Sequence, residues 1–191
     1  MKYKVLKTNR FVNFGYSIIP IRERDMESIR RWRNAQMDIL RQKSKLTNAD
    51  QKKYFNKIVK TLFQEENPKQ LLFSFLKNSK LIGYGGLVNI SWPDKRAEMS
   101  FLVDNKRVID NNQYKKDMNN FIKLIKQVCF KELKLNRLFT ETYAFREFHI
   151  SILQDAGFKE EGRMRQHILV NGRFYDSILH SILKSEYYEE Y

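Results

Sequence analysis

Residues 81–103 read LIGYGGLVNISWPDKRAEMSFLV, two apolar runs joined by a short polar turn. Pro and Asp in the turn, between runs of strand-forming residues, predict a β-hairpin. The first run contains Gly83, Gly85 and Gly86, and glycines inside a strand are typical of a bulge or of a close backbone approach. The second run places Glu98 in an otherwise apolar stretch. Both features are unusual for a hairpin that is purely structural.

The composition indicates a globular chain that is long enough for a core. Of the 191 residues, 42% are apolar and 14% are aromatic, and the length suits one domain. No apolar run approaches the ~20 residues of a membrane span, and the first residues lack the apolar core of a signal peptide. A single cysteine, Cys129, excludes an internal disulfide, and three scattered histidines argue against a metal site. We therefore expect a cytoplasmic protein with no metal and no membrane partner.

The charge is strongly positive. Lysine and arginine number 36 against 22 acidic residues, a formal net charge of +14. One interpretation is an anionic partner: nucleic acid, a membrane surface or a phosphorylated small molecule. The other is a solvated lysine-rich surface, since the lysines are dispersed along the chain. The sequence lacks the alternation of aromatic and basic residues that single-strand nucleic-acid binders use, so nucleic acid is the least favoured partner.

Periodicity predicts a strand, two helices, three antiparallel strands, a helix, a strand, a helix and two final strands. Asn171-Gly172 joins the last two strands, the strongest short hairpin signal. Outside the hairpin at 81–103, the strands are predicted at 16–21, 70–78, 137–144 and within 163–183, and the helices at 26–37, 49–64, 118–133 and 145–158.

This order predicts an α/β (α+β) fold, a central mixed and mostly antiparallel sheet with helices on both faces. We expect residues 1–15 to be a loose basic arm, 16–184 a single domain and 185–191 a frayed tail. Residues 104–117 have no apolar rhythm and are predicted to be a polar connection. Because it leads from a strand into a helix N-terminus, this connection is where such a fold would hold phosphates.

The chain resembles the GNAT superfamily of acetyl-coenzyme A-dependent N-acetyltransferases over about residues 18–183. The resemblance rests on RWRN (31–34), GYGGL (83–87), AEMSFLV (97–103) and FKELKLNRLF (130–139). The ending ILQDAGFKEEGRMRQHILVNGRFYDSILHSIL (152–183) carries it furthest, since it is similar to the family's GF…EG…D pattern. It looks closest to the branch of ribosomal-protein N-terminal acetyltransferases and acetyltransferases of nucleotide-linked amino sugars.

The resemblance implies that the strand at 97–103 splays from the strand at 137–144, and that the pantetheine arm of acetyl-coenzyme A lies in the gap. Met99, Phe101 and Val103 would then contact the acyl donor, and backbone amides near Met99 would polarise the thioester carbonyl. Glu98 would be the base that deprotonates the amine through a water molecule. The alternative for Glu98 is an outward-facing residue paired with Lys95 or Arg96.

The family's pyrophosphate loop aligns with a segment in which both of its conserved glycines are replaced, by Lys116 and Met118. Backbone amides at 114–118 can still point at phosphates from a helix N-terminus, and lysines can add charge-assisted bonds. Asp117 is negatively charged and would repel a phosphate. The acyl-donor residues implied here are Gln113, Tyr114, Lys115, Lys116, Asp117 and Met118.

The last helix also departs from the family, because Leu153 stands where a tyrosine commonly protonates the departing thiolate. Tyr143 and His149 are the candidate substitutes, each with the alternative that it is simply packed. Arg146 is predicted either to bind a cofactor phosphate or to be a solvated helix residue. No acyl-enzyme is expected, because Cys129 lies on the buried stripe of its helix.

The acceptor-binding residues implied by the resemblance are Arg33, Asn34, Tyr84 and Gly85, with local surface roles as the alternative for Arg33 and Asn34. We expect direct attack by a primary amine in a ternary complex. A nucleotide-linked amino sugar for surface polysaccharide is the first acceptor, and a protein N-terminus is the second. A GNAT-like domain that has lost catalysis and only binds is the alternative from another class. The oligomer is expected to be a monomer or a homodimer.

Overall fold

An eight-stranded β-sheet runs through the molecule in a computed structural model that describes residues 1–189. The strands are β1 (Phe11–Asn13), β2 (Tyr16–Pro20), β3 (Leu71–Lys77), β4 (Lys80–Ser91), β5 (Arg96–Val103), β6 (Arg137–Tyr143), β7 (Lys159–Val170) and β8 (Arg173–Leu183). Their order in the sheet is β1-β2-β3-β4-β5-β6-β8-β7. Every neighbouring pair is antiparallel except β5 and β6, which are parallel.

Seven α-helical segments accompany the sheet. They are α1 (Met26–Ala35), α2 (Asn48–Tyr54), α3 (Lys60–Leu62), α4 (Asn105–Val108), α5 (Asn111–Lys126), α6 (Glu147–Asp155) and α7 (Lys184–Glu189). A π-helical turn at Phe55–Val59 joins α2 to α3, and another at Gln127–Glu132 extends α5. Within the described residues, none of these helices is long and apolar enough to cross a membrane.

Helices cover both faces of the sheet, as the sequence predicts. Consecutive strand residues point to opposite faces, so neighbouring positions of β4 identify what covers each one. Tyr84 accepts a hydrogen bond from Arg33 of α1, whereas the position of a side chain at Gly85 would lie against Phe121 of α5. The core lies in these two layers between helices and sheet, and the predicted fold class is confirmed.

The polar connection predicted at 104–117 is mostly helical, which corrects that expectation. Asp104 caps α4 and Asp110 caps α5, each carboxylate accepting hydrogen bonds from the amides that begin its helix. The helix predicted to begin at 118 therefore begins at Asn111. Apolar periodicity could not indicate that the helix begins at Asn111, because most of the first residues of α5 are polar and are exposed or only partly buried.

The expectation of a loose arm at 1–15 is wrong. Tyr3 and Leu6 are buried in the core, and β1 pairs with β2. The Tyr3 hydroxyl donates to the carbonyl oxygen of Leu72 at 2.8 Å and accepts from the Leu72 amide at 2.9 Å. Buried apolar side chains and the pairing of β1 together anchor this otherwise polar segment.

The predicted frayed tail at 185–191 is also corrected over its described part. Residues up to 189 form α7, and Tyr187 is buried against Phe130 with ring centroids 5.1 Å apart. Residues 190 and 191 lie outside the described residues.

The glycines of β4 allow close packing of backbone. A Cβ added at Gly85 would lie 2.1 Å from the carbonyl oxygen of Ser100 and 2.8 Å from Cζ of Phe121. Backbone and Phe121 therefore fill the space at Gly85, which leaves no room there for the acceptor that this residue is expected to bind. The absent side chain instead lets β5 and α5 approach β4.

Gly85→Ala should lower the free energy of unfolding by about 1–3 kcal/mol, since the methyl group overpacks a site that contains backbone. Urea unfolding monitored by circular dichroism measures this. Gly162→Ala is the matched control, because nothing lies within 4 Å of the added Cβ there. Equal stabilities of the two variants would contradict the packing role of Gly85.

Candidate functional site

The gap between β5 and β6 is the central feature of the site. The two strands pair only over Arg96–Glu98 and Arg137–Phe139, yet β5 continues to Val103 and β6 to Tyr143. Beyond the paired residues, the facing edges have no strand partner for their backbone N–H and C=O groups. The predicted splay of this strand pair is confirmed.

A cavity of about 220 Å³ occupies the gap, with residues 98–101 of β5 and 140–143 of β6 in its walls. Because side chains alternate along a strand, Glu98 and Ser100 belong to the α1 face of the sheet. Met99 and Phe101 belong to the α5 face and line the cavity. Val103 is 1% exposed and lies outside the cavity wall.

Glu98 lies on the cavity wall with only 7% of its surface exposed. Its carboxylate accepts hydrogen bonds from Nη2 of Arg41 at 2.9 Å and from Nδ2 of Asn89 at 2.7 Å. Asn89 reaches it from a bulge in β4, where its φ is +49°. The predicted pairing with Lys95 or Arg96 is wrong, because the bulge and a distant segment supply the partners instead.

A second carboxylate lies beside the first. Glu141 is two residues beyond Phe139, which pairs with Glu98, so both carboxylates are on one face. Oε2 of Glu141 accepts from Nη2 of Arg41 at 2.8 Å, and Oε1 lies 3.3 Å from Nδ1 of His167. Sequence reasoning missed Arg41 and Glu141. An acid between two threonines of a strand was the available signal for Glu141, whereas Arg41 lies in a polar segment without a pattern.

Three polar side chains form a cluster on the α5 face of the gap. The Tyr114 hydroxyl lies 2.7 Å from Nδ1 of His149, and Nη2 of Arg146 contacts the same two atoms at 3.0 and 3.1 Å. Burial lowers the pKa of His149 well below its usual value, and the positive charge of Arg146 lowers it further. His149 is therefore neutral at physiological pH. Arg146 and His149 line the cavity, while Tyr114 is a buried contact of Phe101.

Tyr143 lies at the end of β6 on the cavity wall and is 7% exposed. Burial raises the pKa of its hydroxyl. The phenol is protonated at neutral pH and is available as a proton donor.

The predicted phosphate-binding amides at 114–118 are not free. They lie inside α5, where the Tyr114 amide already donates to the carbonyl oxygen of Asp110 at 2.9 Å. The amides of Asn112 and Gln113 at the start of the helix donate to the carboxylate of Asp110. This anion of the chain itself takes the position at the helix N-terminus that a phosphate was expected to take.

The side chains of this segment have mainly structural partners. Asp117 is fully buried, and its carboxylate accepts from Arg107, from the Tyr16 hydroxyl at 2.9 Å and from Nε2 of Gln113 at 2.8 Å. Lys115 pairs with Asp155.

Two further residues complete the predicted segment, and they differ in exposure. Met118 is 0% exposed in the core, and Lys116 is exposed. Lys116 is thus a side chain of this segment that solvent and a phosphate can reach, whereas Met118 is not.

A second cavity, of about 310 Å³, adjoins the first and shares Arg33, Val88 and Ser100 with its wall. Arg33 donates to the Tyr84 hydroxyl at 2.6 Å, and both residues line this second cavity. Its remaining wall is largely apolar and aromatic, with Ile21, Ile29, Leu46, Tyr54, Phe55, Val59 and Leu72.

Asn34, in contrast, serves the backbone of the segment that follows α1. Its Oδ1 accepts from the amide of Leu46, and its Nδ2 donates to the Leu46 carbonyl. Asn34 is absent from the walls of both cavities, so its predicted contact with the acceptor is not supported. Among residues 1–189, no group of three or more metal-ligating side chains converges.

The burial of neutral His149 predicts a pH-dependent stability. In the unfolded chain this imidazole gains a proton below about pH 6.5, whereas in the folded chain it does not. The free energy of unfolding should therefore fall as the pH falls below about 6.5, by up to about 1.4 kcal/mol per pH unit from this group. Urea unfolding of the wild type and of His149→Gln between pH 7.5 and 5 measures it. The wild type should show the steeper loss, and parallel curves would contradict the assignment.

Comparison with known proteins identifies the family. The acetyltransferase (GNAT) domain family matches residues 18–179, which is most of the chain. No curated protein sequence matches the chain.

Solved structures show the same fold. A spermidine N-acetyltransferase from Vibrio cholerae in complex with CoA and spermine has a TM-score of 0.79, with 18% identity over 92% of this chain and 99% of that one. Mutant forms of the spermidine/spermine N-acetyltransferase of Vibrio cholerae have a TM-score of 0.78, with 19% identity over 93% of this chain and 99% of that one. A probable acetyltransferase has a TM-score of 0.71, with 20% identity over 97% of this chain and 98% of that one. With a splayed strand pair, a cavity between the strands and a family match over most of its length, this chain belongs to the GNAT family of acetyl-coenzyme A-dependent N-acetyltransferases.

Proposed function

We propose that this chain acetylates a primary amine by direct attack on acetyl-coenzyme A in the gap between β5 and β6, with Glu98 as the general base. The observation that carries the proposal is a carboxylate on the wall of a cavity formed where two parallel strands stop pairing. The unpaired edge of β5 offers backbone groups to the pantetheine arm and to the thioester carbonyl. These donors suit the oxyanion that forms when the amine attacks.

The chemistry assigns one proton to the base. An alkylammonium ion cannot attack a carbonyl, so it first loses a proton to Glu98. The free amine then forms a bond with the thioester carbon, and the tetrahedral oxyanion collapses with breakage of the carbon–sulfur bond. The second amine proton leaves to water, and the thiolate takes up a proton as it departs. The products are the acetamide, coenzyme A and one released proton.

Tyr143 is the proposed proton donor to the departing thiolate. Its hydroxyl is protonated at neutral pH, burial raises its pKa further, and the residue lines the cavity. His149 is a weaker candidate, since its lowered pKa leaves it without the extra proton, and Nδ1 is already bonded. An acyl-enzyme is not proposed, because burial raises the pKa of the Cys129 thiol and the side chain is inaccessible.

For the acceptor, we propose an amino sugar linked to a nucleotide diphosphate. The net charge of +14 favours an anionic substrate, and the adjoining cavity offers aromatic and apolar walls for a ring. A polyamine is the second candidate. It is supported by the likeness to spermidine N-acetyltransferases and by the two carboxylates beside the gap, which suit a cationic amine.

An acceptor panel tests the proposal through release of the coenzyme A thiol. The panel contains uridine-diphosphate glucosamine, spermidine and a tripeptide with a free amino terminus, with uridine-diphosphate N-acetylglucosamine as the blocked control. We expect the highest kcat/KM with the nucleotide-linked amine and none with the control. A higher value for spermidine would overturn the sugar assignment, and no turnover with any amine would overturn acetyl transfer.

Glu98→Gln should lower kcat at neutral pH by about 10²–10⁴-fold, since the amide cannot accept the proton. The affinity for acetyl-coenzyme A, measured by calorimetry, should stay nearly unchanged, because the carboxylate faces the amine and not the donor. Glu66→Gln is the matched control, as its side chain is 76% exposed and forms a surface ion pair with Lys4. Unchanged turnover in the Glu98 variant would remove this residue from the mechanism.

A further inference from the structure

Arg41 places one nitrogen between two carboxylates of the candidate site. Its Nη2 donates to Oε1 of Glu98 at 2.9 Å and to Oε2 of Glu141 at 2.8 Å. Nη1 adds a longer contact of 3.3 Å to Oε2 of Glu98. One N–H-bearing cation thus bridges the two strands where they diverge.

The carboxylates depend on a cation at this point. The side chains of Glu98 and Glu141 are only 9% and 14% exposed, and both line the same cavity. Two poorly solvated like charges at this spacing repel each other unless a positive group lies between them. Nδ1 of His167 lies 3.3 Å from Oε1 of Glu141, whereas Arg41 bonds the other oxygen, Oε2.

Arg41 differs from its partners in being easy to remove. Its side chain is 54% exposed, and it lies in the segment between α1 and α2, just after a short turn at Met37–Ile39. This segment is held on the far side of Arg41, where Gln42 bonds Arg33 and Asn34, and Leu46 bonds Asn34. The guanidinium can therefore swing away while those anchors stay in place.

We infer that the position of Arg41 Nη2 is the subsite for the protonated amine of the acceptor, and that Arg41 is an internal substitute that the acceptor displaces. The inference rests on the proposed function, and it adds Glu141 as a binding residue and Arg41 as a competitor. A primary alkylammonium has three N–H donors, enough for the carboxylates of both Glu98 and Glu141.

Displacement also explains how Glu98 becomes a base. While Arg41 holds its carboxylate, the position from which it would take a proton is blocked. When the ammonium replaces the guanidinium, an N–H of the ammonium lies beside the carboxylate of Glu98. Glu141 remains ionised and is the second anionic partner of the ammonium. Because a fraction of the enzyme is always closed by Arg41, the apparent affinity for the acceptor is reduced by that fraction.

Kinetics of three variants test the subsite on the best acceptor of the panel. Arg41→Ala should lower the KM for the acceptor by about fivefold, the strength of a half-exposed ion pair. Glu141→Gln should raise that KM by about tenfold, the loss of one hydrogen bond to a charge. In the double variant Arg41→Ala/Glu141→Gln, the decrease in KM caused by Arg41→Ala should be absent. A raised KM in Arg41→Ala would overturn the inference, because Arg41 would then support the acceptor. Arg31→Ala, with a 65% exposed side chain on α1, is the matched control.

Binding without chemistry separates this inference from the proposed function. Propylammonium chloride is titrated into wild type, Arg41→Ala and Arg41→Ala/Glu141→Gln and followed by NMR, with tetramethylammonium as a cation that lacks N–H donors. Propylammonium should bind Arg41→Ala about fivefold more tightly than wild type, and the double variant should lose this gain. That result without acetyl transfer to any amine would uphold the subsite and overturn the proposed function. Acetyl transfer with equal propylammonium binding in wild type and Arg41→Ala would overturn the subsite alone.

Discussion

The site depends on the place where β5 and β6 stop hydrogen-bonding to each other. In the interior of a sheet, unpaired N–H and C=O groups are costly unless another polar group reaches them. Here β5 and β6 separate after Glu98 and Phe139, so the facing strand edges border a cavity instead of each other. The opening passes between the two faces of the sheet. In the proposed reaction, the thioester donor and the amine acceptor meet there from opposite sides.

Side-chain alternation then divides the chemistry between the two faces. Glu98 and Glu141 lie on the α1 face, next to the second cavity, while Met99 and Phe101 line the α5 face. The acids are placed by the strand register and not by a loop, so their spacing follows from the sheet. In the proposed reaction, this arrangement separates proton removal from the apolar wall of the donor arm.

The positive net charge of the chain says little about the site itself. Arg41 is paired with two acids, Arg107 neutralises buried Asp117, and Arg146 is bonded to Tyr114 and His149. These arginines thus form ion pairs and hydrogen bonds with other side chains of the same chain. An anionic acceptor would be attracted by the summed field of the molecule rather than by an unpaired arginine at its phosphates. A cationic amine, in contrast, meets carboxylates at close range.

The sequence by itself determined the order of the main helices and strands, though not β1, α4 or α7, and it determined the hairpin around β4 and β5 and the position of Glu98 on a strand, because these features follow from local periodicity and turn residues. Only the tertiary structure decided the partners of Glu98, since Arg41 is 57 positions away, and the burial of Asp117 by an arginine on another helix. It also decided that Gly85 serves close packing and that residues 1–15 are anchored by Tyr3 and Leu6. The physical reason is that a local pattern specifies which face a side chain takes. What lies opposite that face depends on strand pairing between distant segments.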